Sequence, residues 1–342
     1  MNITRIPPRQ IAEWDAYVAA HAEGSPWHLS CWAGLIQTLF GHEPHYLMAV
    51  DDAGQTRGVL PMIEMRSRLF GHFLCSVPYF NYGGVLADDR DTRAALIDKA
   101  CRLTRERGAE HLELRHQTPF GEDLAQKTHK LSMWLELPES SEALWKGFKS
   151  KLRSQIRRPG KEGATARVGG PELLDDFYAV FSRNMRDLGT PVYPKDFFRH
   201  VMGTPPEAVL VVVYLEQQPV AAGMLVGFGD RIEIPWASSL REYNRQSVNM
   251  LLYWQALQYA CEQGYRIFDF GRSSRDESTH RFKKQWGAEE VPLTWEYWLP
   301  EGHALPELNK DNPKYALAIR AWQHLPLAVA NRIGPPLVRN LP

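Results

Sequence analysis

Residues 209–227 read V-L-V-V-V-Y-L-E-Q-Q-P-V-A-A-G-M-L-V-G, and this stretch decides the fold. Val209 to Leu215 is a strand run, Gln217-Gln218 a turn, and Val220 to Gly227 the partner strand. Downstream, Ser247 to Gln263 places Leu251, Trp254, Leu257 and Cys261 at helical spacing, closes at Gly264 and leads into the strand Arg266 to Phe270 (R-I-F-D-F). The first half repeats that order. Tyr46 to Asp51 is a strand, Ala53-Gly54 a turn and Gly58 to Met65 the next strand. Thr92 to Arg107 is a helix with Leu96, Ala100 and Leu103 on one face, followed by Gly108 and the strand His111 to Arg115. The two closing glycines lie 156 positions apart, far beyond the ~20–50 residues of a solenoid unit. The pattern predicts an α+β chain built by duplication, each copy a mixed sheet flanked by helices. Two unrelated domains that share a hairpin-plus-helix motif would read the same way.

The 342 residues suit two domains at roughly 100–200 residues each. Forty Lys+Arg balance forty Asp+Glu, which argues against a general nucleic-acid binder, since such proteins need a broad cationic excess. Any anion handling is therefore expected to be local. Cys31, Cys75, Cys101 and Cys261 are scattered without a C-x-x-C pair, and the polar start M-N-I-T-R lacks the character of a signal peptide. The expectation is a reduced, cytoplasmic chain. No metal site is expected: G-H-E-P-H (Gly41 to His45) is one residue short of H-E-x-x-H and Pro44 breaks the helix that motif needs, while His111 and His116 sit on opposite faces of their strand.

Between the halves, Ser141 to Lys161 predicts one amphipathic helix stopped by Pro159-Gly160. Leu144, Phe148, Leu152 and Ile156 recur every fourth residue, and seven cations, Arg153 and Arg157 among them, face no acidic residue from Ala143 to Lys161. A solvated connector is the plain reading, but the one-sided charge favours a phosphate-binding face. An amphipathic stretch, Glu172 to Leu188, then leads to the loop G-T-P-V-Y-P, where Tyr193 either lines a site or merely connects helices. The tail from Leu299 holds seven prolines and, after Asp311, only positive charges, with Tyr315, Ile319, Trp322 and Leu325 as an apolar stripe. Such a helix would rest on an anionic membrane or dock on the second domain.

Phe268 to Gly287, F-D-F-G-R-S-S-R-D-E-S-T-H-R-F-K-K-Q-W-G, resembles the FemAB family of aminoacyl transferases and its acyltransferase-like relatives. The basic helix K-x-K-L-R-x-x-I-R-R, the loop L-G-T-P-V-Y-P and V-P-Y-F-N-Y-G-G-V (Val77 to Val85) follow the same pattern in order. The likeness is greatest to the FemAB-related proteins that accompany exosortase (PEP-CTERM) and exopolysaccharide systems in Gram-negative bacteria. It spans roughly residues 20 to 300. It implies two tandem domains of the N-acetyltransferase (GNAT) type: 1–140, then a basic linker helix at 141–165, a second domain at 166–300, and a Pro-rich tail with an amphipathic helix at 301–342.

The resemblance further implies transfer of an aminoacyl or acyl group to an amine of a cell-envelope or exopolysaccharide precursor. The donor would be aminoacyl-tRNA or an acyl thioester, with no tightly bound cofactor. An acyl-CoA or acyl-carrier-dependent N-acyltransferase and a non-catalytic polysaccharide-associated binding protein are the alternatives. By position the family's lysine is Lys283, with Lys284 as its substitute, and a cation there would stabilise the oxyanion of the reacting ester. Asp276 and Asp269 are candidate bases. Arg272 and Ser273 follow the strand that ends at Phe270-Gly271, and with Arg153, Arg157, Tyr193, Trp236 and Asn249 they are candidate substrate contacts. Asn81 and Tyr82 would meet the acceptor, although N-Y-G-G stands where Fem enzymes carry acidic residues. The glycine-rich turn that holds the pyrophosphate of coenzyme A in GNAT enzymes is absent from both matching places, Arg241 to Leu252 and Leu86 to Leu96. The polysaccharide or lipid-linked precursor, tRNA and a peripheral contact at the inner membrane complete the expected partners.

Overall fold

In the computed structural model, which describes residues 2–67, 71–121, 124–305 and 313–341, Pro61 divides what the sequence reads as one strand. Lacking an N–H, it cannot continue a ladder, so Thr56–Leu60 and Ile63–Ser67 separate and enter different sheets. The chain forms two units, Met1–Lys130 with Pro292–Leu308 and Arg339–Pro342 (unit 1), and Leu131–Val291 with Asn309–Val338 (unit 2). Each is a mixed sheet structure flanked by helices.

Unit 1 contributes β1 (Asn2–Arg5), α1 (Ile11–Ala20), α2 (Cys31–Phe40), β2 (Glu43–Pro44), β3 (Leu47–Val50), β4 (Thr56–Leu60), β5 (Ile63–Ser67) and β6 (Gly71–Cys75). Then come β7 (Leu86–Ala87), α3 (Arg90–Glu106) and β8 (His111–His116). One sheet has the order β1-β3-β4-β7. In the other, β8 runs parallel to β6, which pairs antiparallel with β5 and, through it, β2. The α3 helix starts where Asp89 accepts a hydrogen bond from the Thr92 N–H at 2.7 Å. Its buried Leu96, Ile97 and Ala100 join Leu47, Leu60, Leu74, Leu112 and Leu114 in the core.

The remaining elements are β9 (Ala125–Glu136), α4 (Ser141–Gly147), α5 (Ser150–Lys161), β10 (Thr165–Gly169), α6 (Leu174–Leu188), α7 (Lys195–Met202), β11 (Ala208–Leu215), β12 (Gln218–Phe228) and β13 (Arg231–Ser239). They continue with α8 (Val248–Glu262), β14 (Ile267–Asp269), β15 (Ser273–Ser274), α9 (Ser278–Lys284), β16 (Glu289–Trp298), α10 (Pro313–Gln323) and α11 (Leu327–Val338). Within unit 2 the strand order is β10-β11-β12-β13-β14-β9, in which β13 and β14 run parallel and the other neighbours antiparallel. Val220 to Val226 of β12 are buried without alternation, as a central strand covered on both faces requires.

Two expectations are corrected. The basic linker is two helices, α4 and α5, because Phe148 and Lys149 take extended ψ angles after the weak helix former Gly147. The second of them runs through Pro159 to Lys161 instead of stopping there. The apolar stripe survives the break: Leu144, Phe148, Leu152 and Ile156 are all buried, and Phe148 meets Trp286 edge-on at 5.6 Å between ring centres. The tail likewise holds two helices, α10 and α11, on either side of Pro326. The Tyr315 side chain of the expected stripe lies outside the described residues.

Candidate active site

The site begins with three rungs of parallel pairing. Arg231, Ile232 and Glu233 of β13 face Ile267, Phe268 and Asp269 of β14, and there the pairing ends. On its other side β13 carries a register shift between its Glu233 and Trp236 pairings, an extra residue that bends the strand. The two strands thus form a fork whose base is marked by two buried carboxylates, Glu233 and Asp269, 2% and 0% exposed. Unit 1 has a parallel pair too, β6 with β8, but there the backbone beyond the pair is taken up. Ser76 N–H donates to the Glu113 carbonyl (2.8 Å) and Gly83 N–H to the Arg115 carbonyl (3.0 Å).

The segment F-D-F-G-R folds around its own aspartate. Oδ1 of Asp269 accepts from Ser132 Oγ at 2.5 Å and from the Gly271 N–H at 2.7 Å. Gly271 sits at φ +74°, a conformation open to glycine, and this turns successive carbonyls toward α9. Lys283, on α9, donates from Nζ to the carbonyls of Gly271 (2.8 Å) and Arg272 (2.9 Å). Its neighbours Phe282 and Trp286 lie 6.2 Å apart between ring centres, and Tyr253 (4.9 Å from Phe282) and Phe270 (6.4 Å from Trp286) complete an aromatic wall with them. That packing aims Lys283 inward, 7% exposed, whereas Lys284 lies outside near Glu290 at 3.6 Å.

Burial pushes the Lys283 ammonium down to about 8, against the attraction of Asp269 and Glu233, and Arg272 lowers it further. At pH 7 it remains largely protonated. Two of its three N–H donors are engaged, which leaves the third for an incoming oxygen. The Ser273 hydroxyl, on the same turn, is buried without a hydrogen-bond partner.

The structure brings together Asp269, Arg272, Ser273 and Lys283 of the expected residues. Asp276 is exposed in a turn at φ +64°, where its N–H donates to Nδ1 of His280. Tyr193 stacks on Phe197 at 5.0 Å, and Trp236 stands edge-on to Phe197 and Phe198, so both belong to an aromatic cluster with α7. Arg157 lies over the Trp145 ring at 5.0 Å and lines a cleft of about 400 Å³ with Trp254, while Arg153 is half-buried on the same helix. Asn249 is half-buried in the first turn of α8. Asn81 and Tyr82 lie in unit 1. Sequence reasoning missed Glu233 and Ser132. The signal for Glu233 was present: in R-I-E-I-P-W a carboxylate stands inside an apolar strand.

Among the described residues, Glu43, His45 and Glu64 place ligand atoms within 4.8 Å of one another. Glu64 already accepts from His45 (2.9 Å), Arg107 (2.7 Å), His72 (2.7 Å) and Arg66 (3.0 Å), and Arg107 also reaches Glu43 (2.8 Å). With guanidinium groups on the carboxylates the donor set suits an ion-pair hub and not a cation.

Residues 146–284 match the acetyltransferase (GNAT) domain family. The fold is similar to the crystal structure of FemX, at 16% identity and TM-score 0.64 over 93% of this chain and 100% of that one. L-PGS from Bacillus licheniformis aligns at 13% identity and TM-score 0.58 over 94% and 98% of the two chains. A tandem GNAT protein from the clavulanic acid biosynthesis pathway aligns at 11% and TM-score 0.53 over 89% and 99%. No curated protein matches the sequence. The structural likenesses establish the fold, two tandem GNAT-like domains, and the family match over residues 146–284 supports an acyltransferase.

Proposed function

We propose that the chain is a FemAB-like aminoacyl or acyl transferase acting on an amine of a cell-envelope or exopolysaccharide precursor, in the setting of an exosortase system. The observation that carries this reading is Lys283, buried at the fork with its ammonium held on the carbonyls of Gly271 and Arg272. In the reaction the amine nitrogen attacks the carbonyl carbon of an aminoacyl-tRNA ester or an acyl thioester. The C–N bond forms as the carbonyl electron pair moves to oxygen, where the third Lys283 N–H meets it. Collapse breaks the C–O or C–S bond, and the proton lost by the amine ends on the leaving group. Losing one such donor typically costs about 10²–10³ in rate.

Asp269 and Glu233 supply negative charge near the incoming amine, with Asp276 more remote. Arg272 and Ser273 hold the donor's polar atoms. Arg153, Arg157 and Lys284 serve phosphates, Asn249 an anion at the start of α8, and Asn81 with Tyr82 the acceptor. The GNAT match supports an acyl-CoA or acyl-carrier donor as the second reading; the likeness to FemX supports the aminoacyl branch. The deciding assay offers both labelled donors to envelope fractions from cells lacking the protein. Lys283→Ala is expected to abolish transfer, and full transfer by that variant would overturn the assignment.

On this reading the chain works in the cytoplasm, with a peripheral contact at the inner membrane. The outward stripe of α11, Val329, Ile333 and Leu337, is 42%, 39% and 40% exposed, while Ala330, Gly334 and Val338 are buried. No acidic residue occurs from Pro313 to Val338, which suits an anionic lipid surface. No helix among the described residues is long and apolar enough to cross a membrane.

A further inference from the structure

Unit 1 holds a polar cavity that the acyl-transfer reading does not use. His116, the last residue of β8, bonds through Nδ1 to Oε2 of Glu296 at 2.5 Å, and the two side chains are 2% and 0% exposed as residues. The carboxylate is held further by the Phe120 N–H (2.9 Å), the Gly121 N–H (3.4 Å) and the Gln126 amide (3.1 Å). Burial opposes the charge on Glu296, but His116 and the two backbone amides outweigh it, so its pKa falls and it stays ionised. Burial lowers that of His116. The imidazole is accordingly neutral, with its proton on Nδ1 and a lone pair on Nε2.

That Nε2 is buried without a partner, and so are Nε of Arg93 and Nε2 of Gln117. All three residues line one cavity of about 10 Å³, together with His28, Tyr82 and Gly84. An unmet buried polar group costs about 1–3 kcal/mol, and native proteins leave few of them. Three around one void are a set: one acceptor and two donors, the complement of a hydroxyl oxygen that gives one hydrogen and takes two. A space of this size admits roughly one water-sized centre. The chain is shaped for it. A Cβ on Gly84 would lie 2.0 Å from Cδ2 of His116, so only glycine lets the ring reach this position. His28 pairs with Ser25 Oγ at 2.7 Å and the Gly84 carbonyl at 3.1 Å, which fixes that glycine.

We propose that this cavity is a binding site for a single hydroxylic oxygen, donating to His116 Nε2 and accepting from Arg93 and Gln117. The oxygen comes from a water or from the hydroxyl of an organic molecule entering tip first. The site stands independently of the acyl-transfer reading.

The test is a high-resolution crystal structure of the full chain, before and after soaking in methanol, with ¹⁵N spectra of the His116 ring in solution. The expected result is one density peak within hydrogen-bonding distance of all three atoms, and a ring protonated on Nδ1. A peak unchanged by methanol assigns the site to water; replacement by methanol, with a shift of the Nε2 signal, extends it to organic hydroxyls. Gln117→Leu is expected to keep the fold, lose the peak and move the Nε2 signal. An empty cavity, side chains turned to partners within the protein, or a Gln117→Leu variant with an unmoved Nε2 signal would overturn the proposal.

Discussion

Lys283 can be tested without knowing any substrate, through the proton it holds. Its pKa falls from an ordinary 10.5 to about 8 because folding removes the ammonium from water. Between those values the unfolded chain binds the proton and the folded chain releases it, so stability must rise with pH across the window from about 8 to 10.5. Below about 8 both states are protonated and the contribution is flat. At 1.36 kcal/mol per unit, the full rise is about 3 kcal/mol. Other lysines and tyrosines titrate in the same range, so the measurement is a difference: urea unfolding of the native chain and of Lys283→Met at steps from pH 7 to pH 10.5. The native chain should gain on the variant by roughly 3 kcal/mol, nearly all of it above pH 8. If the difference between the two proteins is level across the series, Lys283 is not a desolvated ammonium and the site geometry is wrong. Transfer activity should run the opposite way, declining as pH passes about 8, because the cation that meets the oxyanion is lost.

Ser273→Ala should leave stability unchanged or raise it by up to about 1 kcal/mol, since the buried hydroxyl has no partner to lose, while transfer falls; a stability loss above that, read by urea unfolding, would show a hidden partner. Glu64→Ala strips one buried carboxylate from two arginines and two histidines, and should cost about 3–5 kcal/mol in the same assay. The Glu64 acid is held down to about 2, burial notwithstanding, by His45, Arg107, His72 and Arg66, so its contribution is present above about 4.5 and lost as pH falls toward 2. An acid unfolding curve identical in the native chain and Glu64→Ala would contradict this. Finally, Ile333→Asp should weaken sedimentation with vesicles containing phosphatidylglycerol at least several-fold, and equal binding by both proteins would remove α11 from the membrane contact.

The hairpin, helix and strand order was legible because it is written in local periodicity: Val209 to Gly227 and Leu251 to Cys261 carry their burial pattern in consecutive residues. The break between α4 and α5 was not, because Leu144, Phe148, Leu152 and Ile156 keep a helical spacing straight across it. Pro61 was overlooked inside an apolar run whose hydrophobicity outweighed its missing donor. At the site, Asp269 and Lys283 were found through a motif contained in one short segment. Glu233 joins them only by a parallel pairing, 36 positions away, that no local rule exposes. The partnership of His116 with Glu296 spans 180 positions and is equally silent in the sequence.

The depressed proton affinity of Lys283 makes ligand binding at the fork a proton-linked event. An anion or oxyanion placed on the third N–H restores the charge on the nitrogen, so above pH 8 its arrival must draw one proton from solvent. Affinity for such a ligand would be level below pH 8 and fall about tenfold for each further unit. Heats of binding would then depend on the ionisation enthalpy of the buffer, a signature that separates occupancy of this nitrogen from adhesion of an anion anywhere else on the chain.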